Sequence, residues 1–175
     1  LAGQTTQGAS SIAIGNSAGN EGQNTHSVAI GTNSALNAQG DNTVAVGRGS
    51  GQNIQGASAV AVGYQAALTA QGTSSVAVGI SAGYNAQGTS AVAVGNVAGC
   101  ASQGANSVAI GVLSGCGDQG TNSVGIGNAA GRTTQGTHSV AVGYQAGMTG
   151  QNNFSVAIGS NAGCRAQDGT VAIGT

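Results

Sequence analysis

The side chains with most chemistry to offer in this 175-residue chain are three cysteines, two histidines and four acids. Cys100, Cys116 and Cys164 could ligate a metal, bridge or act as nucleophiles. His26 and His138 could hold a metal or move a proton. Glu21, Asp41, Asp118 and Asp168 could pair as acid and base or chelate calcium. The spacing supports none of these roles. No cysteine has a histidine or acid at zinc-ligand spacing. The histidines are far apart, and the acids lack the Asp/Asn clustering of calcium-binding β-rolls. No nucleophile stands beside a base and an orienting acid. The reading is therefore a non-enzyme, with no catalytic, cofactor-binding or metal-ligating residue assigned and no cofactor expected.

One motif matches by letters. Gly115-Cys116-Gly117-Asp118-Gln119-Gly120 reproduces the dinucleotide fingerprint, whose mechanism needs a following helix with its N-terminus at the pyrophosphate. No helix is plausible there, and Gly115 and Gly120 fall on glycine positions that recur throughout the chain. The match is a product of repetition.

The element that must position every other residue is a pentapeptide that returns every sixteen residues. It runs from Ser11-Ile12-Ala13-Ile14-Gly15 through Ser75-Val76-Ala77-Val78-Gly79 to Ser155-Val156-Ala157-Ile158-Gly159. An eleventh copy, Thr170-Val171-Ala172-Ile173-Gly174, arrives one residue early, after Gln167-Asp168-Gly169. A fixed period in this range signals a solenoid of stacked units. The fold class expected is all-β: a parallel β-roll of about eleven 16-residue coils, a single repeat domain over 1–175. At ~4.8 Å per coil the rod is about 50 Å long.

Within the unit, numbered from the serine, positions two and four are Val or Ile in every copy, and position three is alanine except at Gly125. Alternating β-branched residues bounded by glycine read as a strand. Positions two and four share one face and positions one and three the other. The expectation is Val/Ile inward, with a flat Ser/Ala face outward against a partner. Position five is always glycine, which implies positive φ or a corner without room for a Cβ. Position thirteen is always glutamine, from Gln7 to Gln167, followed by Gly, Asn or Asp, types that suit a left-handed turn. Stacked amides at that corner read as a structural spine that satisfies backbone groups. Cys100, Cys116 and Cys164 share position ten. Cys100 and Cys116, one coil or ~4.8 Å apart, are within disulfide range, but parallel Cβ vectors make a bridge awkward. Half-buried free thiols are the expectation, and a Cys100–Cys116 bridge stays open.

Composition excludes several functions. Glycine supplies 34 residues, proline none, and charged residues only 4%. With no lysine, three arginines and a net charge of −1, the chain lacks the cation cluster that nucleic acid demands. No apolar run reaches the roughly 18 residues that span a bilayer, so no membrane insertion is expected within this segment. The chain begins and ends inside a repeat, which reads as a segment of a longer fibrous protein.

Ser27-Val28-Ala29-Ile30-Gly31 and Ser107-Val108-Ala109-Ile110-Gly111 resemble the head repeat of YadA-like trimeric autotransporter adhesins. Similar repeats occur in phage and large-virus fibre proteins. The resemblance implies a left-handed parallel β-roll, three chains about one axis, and attachment to a host-surface, matrix or glycan receptor. It also implies an extracellular place, on a cell surface or virion fibre. The leading expectation is a homotrimeric, non-enzymatic fibre or adhesin with the Ser/Ala face near the threefold axis. Two alternatives stand beside it. One is an ice-binding solenoid using Thr25, Thr73, Thr89, Thr121 and Thr137 at position fifteen. The other is a self-assembling extracellular filament built by end-to-end stacking.

Overall fold

The computed structural model describes residues 1–167 and 169–174; Asp168, and with it the centre of the shortened corner, lies outside them. The described chain is a parallel β-solenoid without helix. Eleven strands, from Ile12–Ile14 to Val171–Ile173, stack into one sheet, and ten, from Glu21–Gln23 to Arg165–Gln167, stack into a second. The first strand of each coil is the pentapeptide core, as in Val76–Val78, and the second ends on the invariant glutamine, as in Ala86–Gln87.

Register is identical from coil to coil: Val76, Ala77 and Val78 lie beside Val92, Ala93 and Val94, and Gln87 beside Gln103. It survives the shortened corner, where Val156, Ala157 and Ile158 still pair Val171, Ala172 and Ile173. The missing residue is absorbed outside the strands.

The interior reverses the expected facing. Ala61, Ala77, Ala93 and Ala109 at position three are fully buried, as are Ser27, Ser75, Ser107 and Ser123 at position one. Val76, Val78, Val92 and Val94 point outward and are half-buried, while Ile110, Ile126 and Ile158 are exposed. The core is a file of alanines, position three meeting position eight as Ala77 and Ala93 meet Ala82 and Ala98. The reason is thickness at position three, where alanine meets alanine across the coil. Among the described residues the one branched side chain fully inside is Thr43 at position one, whose hydroxyl donates to the Gly40 carbonyl at 3.0 Å. Serine fits there because its hydroxyl bonds locally, Ser75 Oγ donating to the Gly72 carbonyl at 2.6 Å.

Corners are set by left-handed backbone. In one coil Gly79, Ser81, Gly83 and Ser90 have φ of 130°, 51°, 55° and 56°. Position five needs glycine twice over: a Cβ on Gly79 would stand 2.5 Å from the Gly95 carbonyl oxygen, and its φ lies outside the reach of L side chains. The glycine after the glutamine has a different duty from the one expected. Gly88 is not left-handed; a Cβ there would meet the Ala105 amide at 2.5 Å. Close approach of the next coil selects it, and the left-handed residue comes two positions later.

The glutamine spine forms as expected. Gln23, Gln39, Gln55, Gln135 and Gln151 are the largest fully buried side chains in the structure. Gln87 Nε2 donates to the Val76 carbonyl at 2.7 Å and to the Ala91 carbonyl at 3.3 Å, tying the two sheets together. Amides also link coil to coil, Gln119 Nε2 to Gln135 Oε1 at 3.1 Å and Gln135 Nε2 to Gln151 Oε1 at 3.3 Å. Leucine at Gln87 keeps the volume but removes the donor, so Gln87→Leu is expected to cost about 1–3 kcal/mol. Asn85→Ala, at an exposed neighbour, should cost under about 0.5 kcal/mol. Equal melting temperatures for the two variants would contradict a structural spine.

Candidate functional site

The residues with chemical potential are held apart by the solenoid. Glu21, Asp41 and Asp118 are exposed at separate levels, and His26 and His138 occupy the same corner many coils apart. Among the described residues no three His, Cys, Asp or Glu side chains gather into a metal-sized group. Asp41 serves its own corner: its Oδ1 accepts the Thr25 amide at 3.0 Å and the Thr25 hydroxyl at 2.7 Å. Those bonds, with a smaller contribution from His26, hold its carboxyl below the usual carboxylate range. His138 shares a hydrogen bond with Asn122 at 3.2 Å and stacks on Phe154, ring centroids 5.2 Å apart. Both contacts follow from the shared register. The apparent dinucleotide fingerprint resolves into repeat corners, with Gly115 left-handed at φ 51° and Gly120 so close to the next coil that a Cβ on it would stand 2.6 Å from the Gly136 backbone.

The cysteines correct the sequence expectation. Cys100 and Cys116 form a disulfide with Cα atoms 4.6 Å apart, and Cys164 is free and half-buried. Position ten lies in a corner rather than in a strand, so its Cβ vectors are not bound to run parallel as in a ladder. The bridge joins consecutive coils and closes a loop of one repeat. Loop-closure entropy for such a loop corresponds to about 3 kcal/mol.

A continuous surface feature is the outward face of the eleven-stranded sheet. Two files of Val and Ile run its length and no charged residue occupies either file. Ile12 and Ile14 are 48% and 57% exposed at one end, Val171 and Ile173 67% and 75% at the other. Apolar surface of this extent is uncommon on a soluble monomer and marks an interaction site. The face continues round the corner into position six, where Tyr64, Ile80, Val112 and Tyr144 are exposed. Sequence reasoning missed this face because it assigned Val and Ile to the interior. The signal was there in the Ser and Ala of positions one and three, small enough for the coil. The second sheet carries a shallow groove of about 520 Å³, floored by Ala70, Ala86 and the glycines Gly72, Gly88, Gly104 and Gly120.

Reduction, or Cys100→Ser, should lower the melting temperature, and removing Cys164 should not. A melting temperature unaffected by reductant would contradict the staple.

No helix among the described residues is long and apolar enough to cross a membrane. No curated protein and no solved structure matches the chain. The family model of the YadA head domain repeat matches twice, over residues 23–50 and 119–146, and so bears out, in those two stretches, the likeness carried by the pentapeptides.

Proposed function

We propose that this chain is a non-enzymatic segment of an extracellular fibre or adhesin that works as a homotrimer, each protomer turning its Val/Ile face to its partners. The observation that carries this reading is the uncharged apolar face of eleven strands. Two half-exposed aliphatic side chains per strand present on the order of 1,000 Å², against ~800 Å² per partner in a standard interface. A coil whose core is alanine gains little hydrophobic stability alone, and association adds what the interior lacks.

Partners do not pack against the Ser/Ala face expected from the sequence, since that face lines the coil. The rest of the reading is supported by the YadA head repeat match and by the disulfide. Bridges persist in oxidising surroundings, which suits a cell-surface or virion location. Few charges and a uniform rod suit a spacer that presents a receptor-binding surface at a distance. The receptor is host-surface, matrix or glycan in class.

Sedimentation equilibrium tests the assembly. The parent protein should sediment as a trimer. Val92→Glu with Val124→Glu, on the outward face, should give a monomer with unchanged β circular dichroism. A trimer that tolerates both glutamates would show that the partners lie elsewhere.

A further inference from the structure

A nearly periodic interface has a weakness. Two files of Val and Ile that differ from coil to coil by no more than a methylene fit each other almost as well after sliding one coil along the axis. Ten of eleven strand levels would still be matched. Register between protomers therefore has to come from something that does not repeat.

The corner beside the face carries such a feature. At positions six and seven most coils have polar or small residues, such as Asn16 and Ser17, Thr32 and Asn33, or Ser160 and Asn161. In the middle of the chain the same corner becomes apolar: Tyr64, Ile80, Val97, Val112 and Leu113. Tyr64, Ile80 and Val112 are 43%, 51% and 44% exposed. These residues lie on successive coils, with Asn96 among them: the Ser81 amide donates to the Tyr64 carbonyl at 2.9 Å, the Val97 amide to the Ile80 carbonyl at 2.8 Å and the Leu113 amide to the Asn96 carbonyl at 3.0 Å.

Two of them sit where the backbone resists them. Val97 and Leu113 both have φ of 58°, a left-handed conformation that suits the Asn or Gly found at this position in other coils. A β-branched residue held there at a conformational cost calls for a compensating contact, and Val97 and Leu113 are only half-buried within the protomer.

We infer that this apolar corner docks a second copy of the chain and locks the axial register of the trimer. The inference rests on the trimer reading above. The occupant follows from position: the corner adjoins Val94, Ile110 and Ile126 on the face itself, so a partner seated on that face reaches it at the same level.

The test separates register from association. In a Cys164→Ser background, one tagged chain carries Val108→Cys and an untagged chain carries Val140→Cys. The two are refolded together under oxidising conditions. In a registered trimer these thiols are two coils, ~9.6 Å, apart along the axis, beyond disulfide reach. Only like chains should cross-link. Ile80→Asn, Val97→Asn, Val112→Asn and Leu113→Asn together install residues that other coils already use at these positions. With those four changes, mixed cross-links should rise several-fold while molar mass stays trimeric and circular dichroism is unchanged. Mixed cross-links as rare as in the parent corner would overturn the inference, as would frequent mixed cross-links in the parent. A monomeric four-site variant would also overturn it, because the corner would then supply association rather than register. A monomeric parent would overturn the trimer reading and this inference with it.

Discussion

The structure depends on how closely one coil approaches the next and how closely its two sheets approach each other. A Cβ at Gly79 or Gly88 would stand about 2.5 Å from the backbone of the following coil; the Gly79 position is glycine in every coil, while the Gly88 position also takes Asn24 and Asn152. With the corners that tight, the space between the sheets holds alanine, serine, one threonine and the flat amide of glutamine. At position three, alanine against alanine leaves no place for Val or Ile. A strand of alternating residues must then send its aliphatic side chains outward, and the assembly reading follows from that geometry rather than from any one residue.

The glutamine spine resolves what would otherwise be a difficulty. A coil with an alanine core has few apolar contacts across its width. Amides such as Gln87, bonded to carbonyls of the opposite strand, replace some of that cohesion with directional bonds in a low-dielectric interior. The same side chain explains the small residue four positions earlier: a Cβ on Gly83 would stand 2.9 Å from the Gln87 Oε1. Ala35 and Ala67 fill that position elsewhere with φ of 45° and 49°, so the space is tight but not closed.

Much of this was legible in the sequence. The sixteen-residue period gave the solenoid, Val-Ala-Val gave the strand, and invariant Gly79 and Gln87 with their counterparts gave the corners and the spine. The facing of the strand was not legible by the usual rule, because apolar-inside presumes an interior large enough for valine. Alanine at position three, never charged, suggests a packed surface, but the expectation of a partner chain against it is wrong: it packs on the opposite wall of its own coil. The Cys100–Cys116 bridge was misjudged because position ten was treated as part of a ladder. The left-handed residues at positions seven and sixteen, such as Ser81 and Ser90, left no signal because Ser, Asn, His and even Val occupy them.

The central claim, that alanine methyls fill the coil while valine and isoleucine methyls meet the partner chains, is open to one direct measurement. A sample assembled from methyl-labelled and unlabelled protomers reports contacts between chains through isotope-filtered nuclear Overhauser effects. The account predicts intermolecular effects from the Val76, Val92 and Val108 methyls and none from Ala77, Ala93 or Ala109. Intermolecular effects confined to the alanine methyls would contradict it.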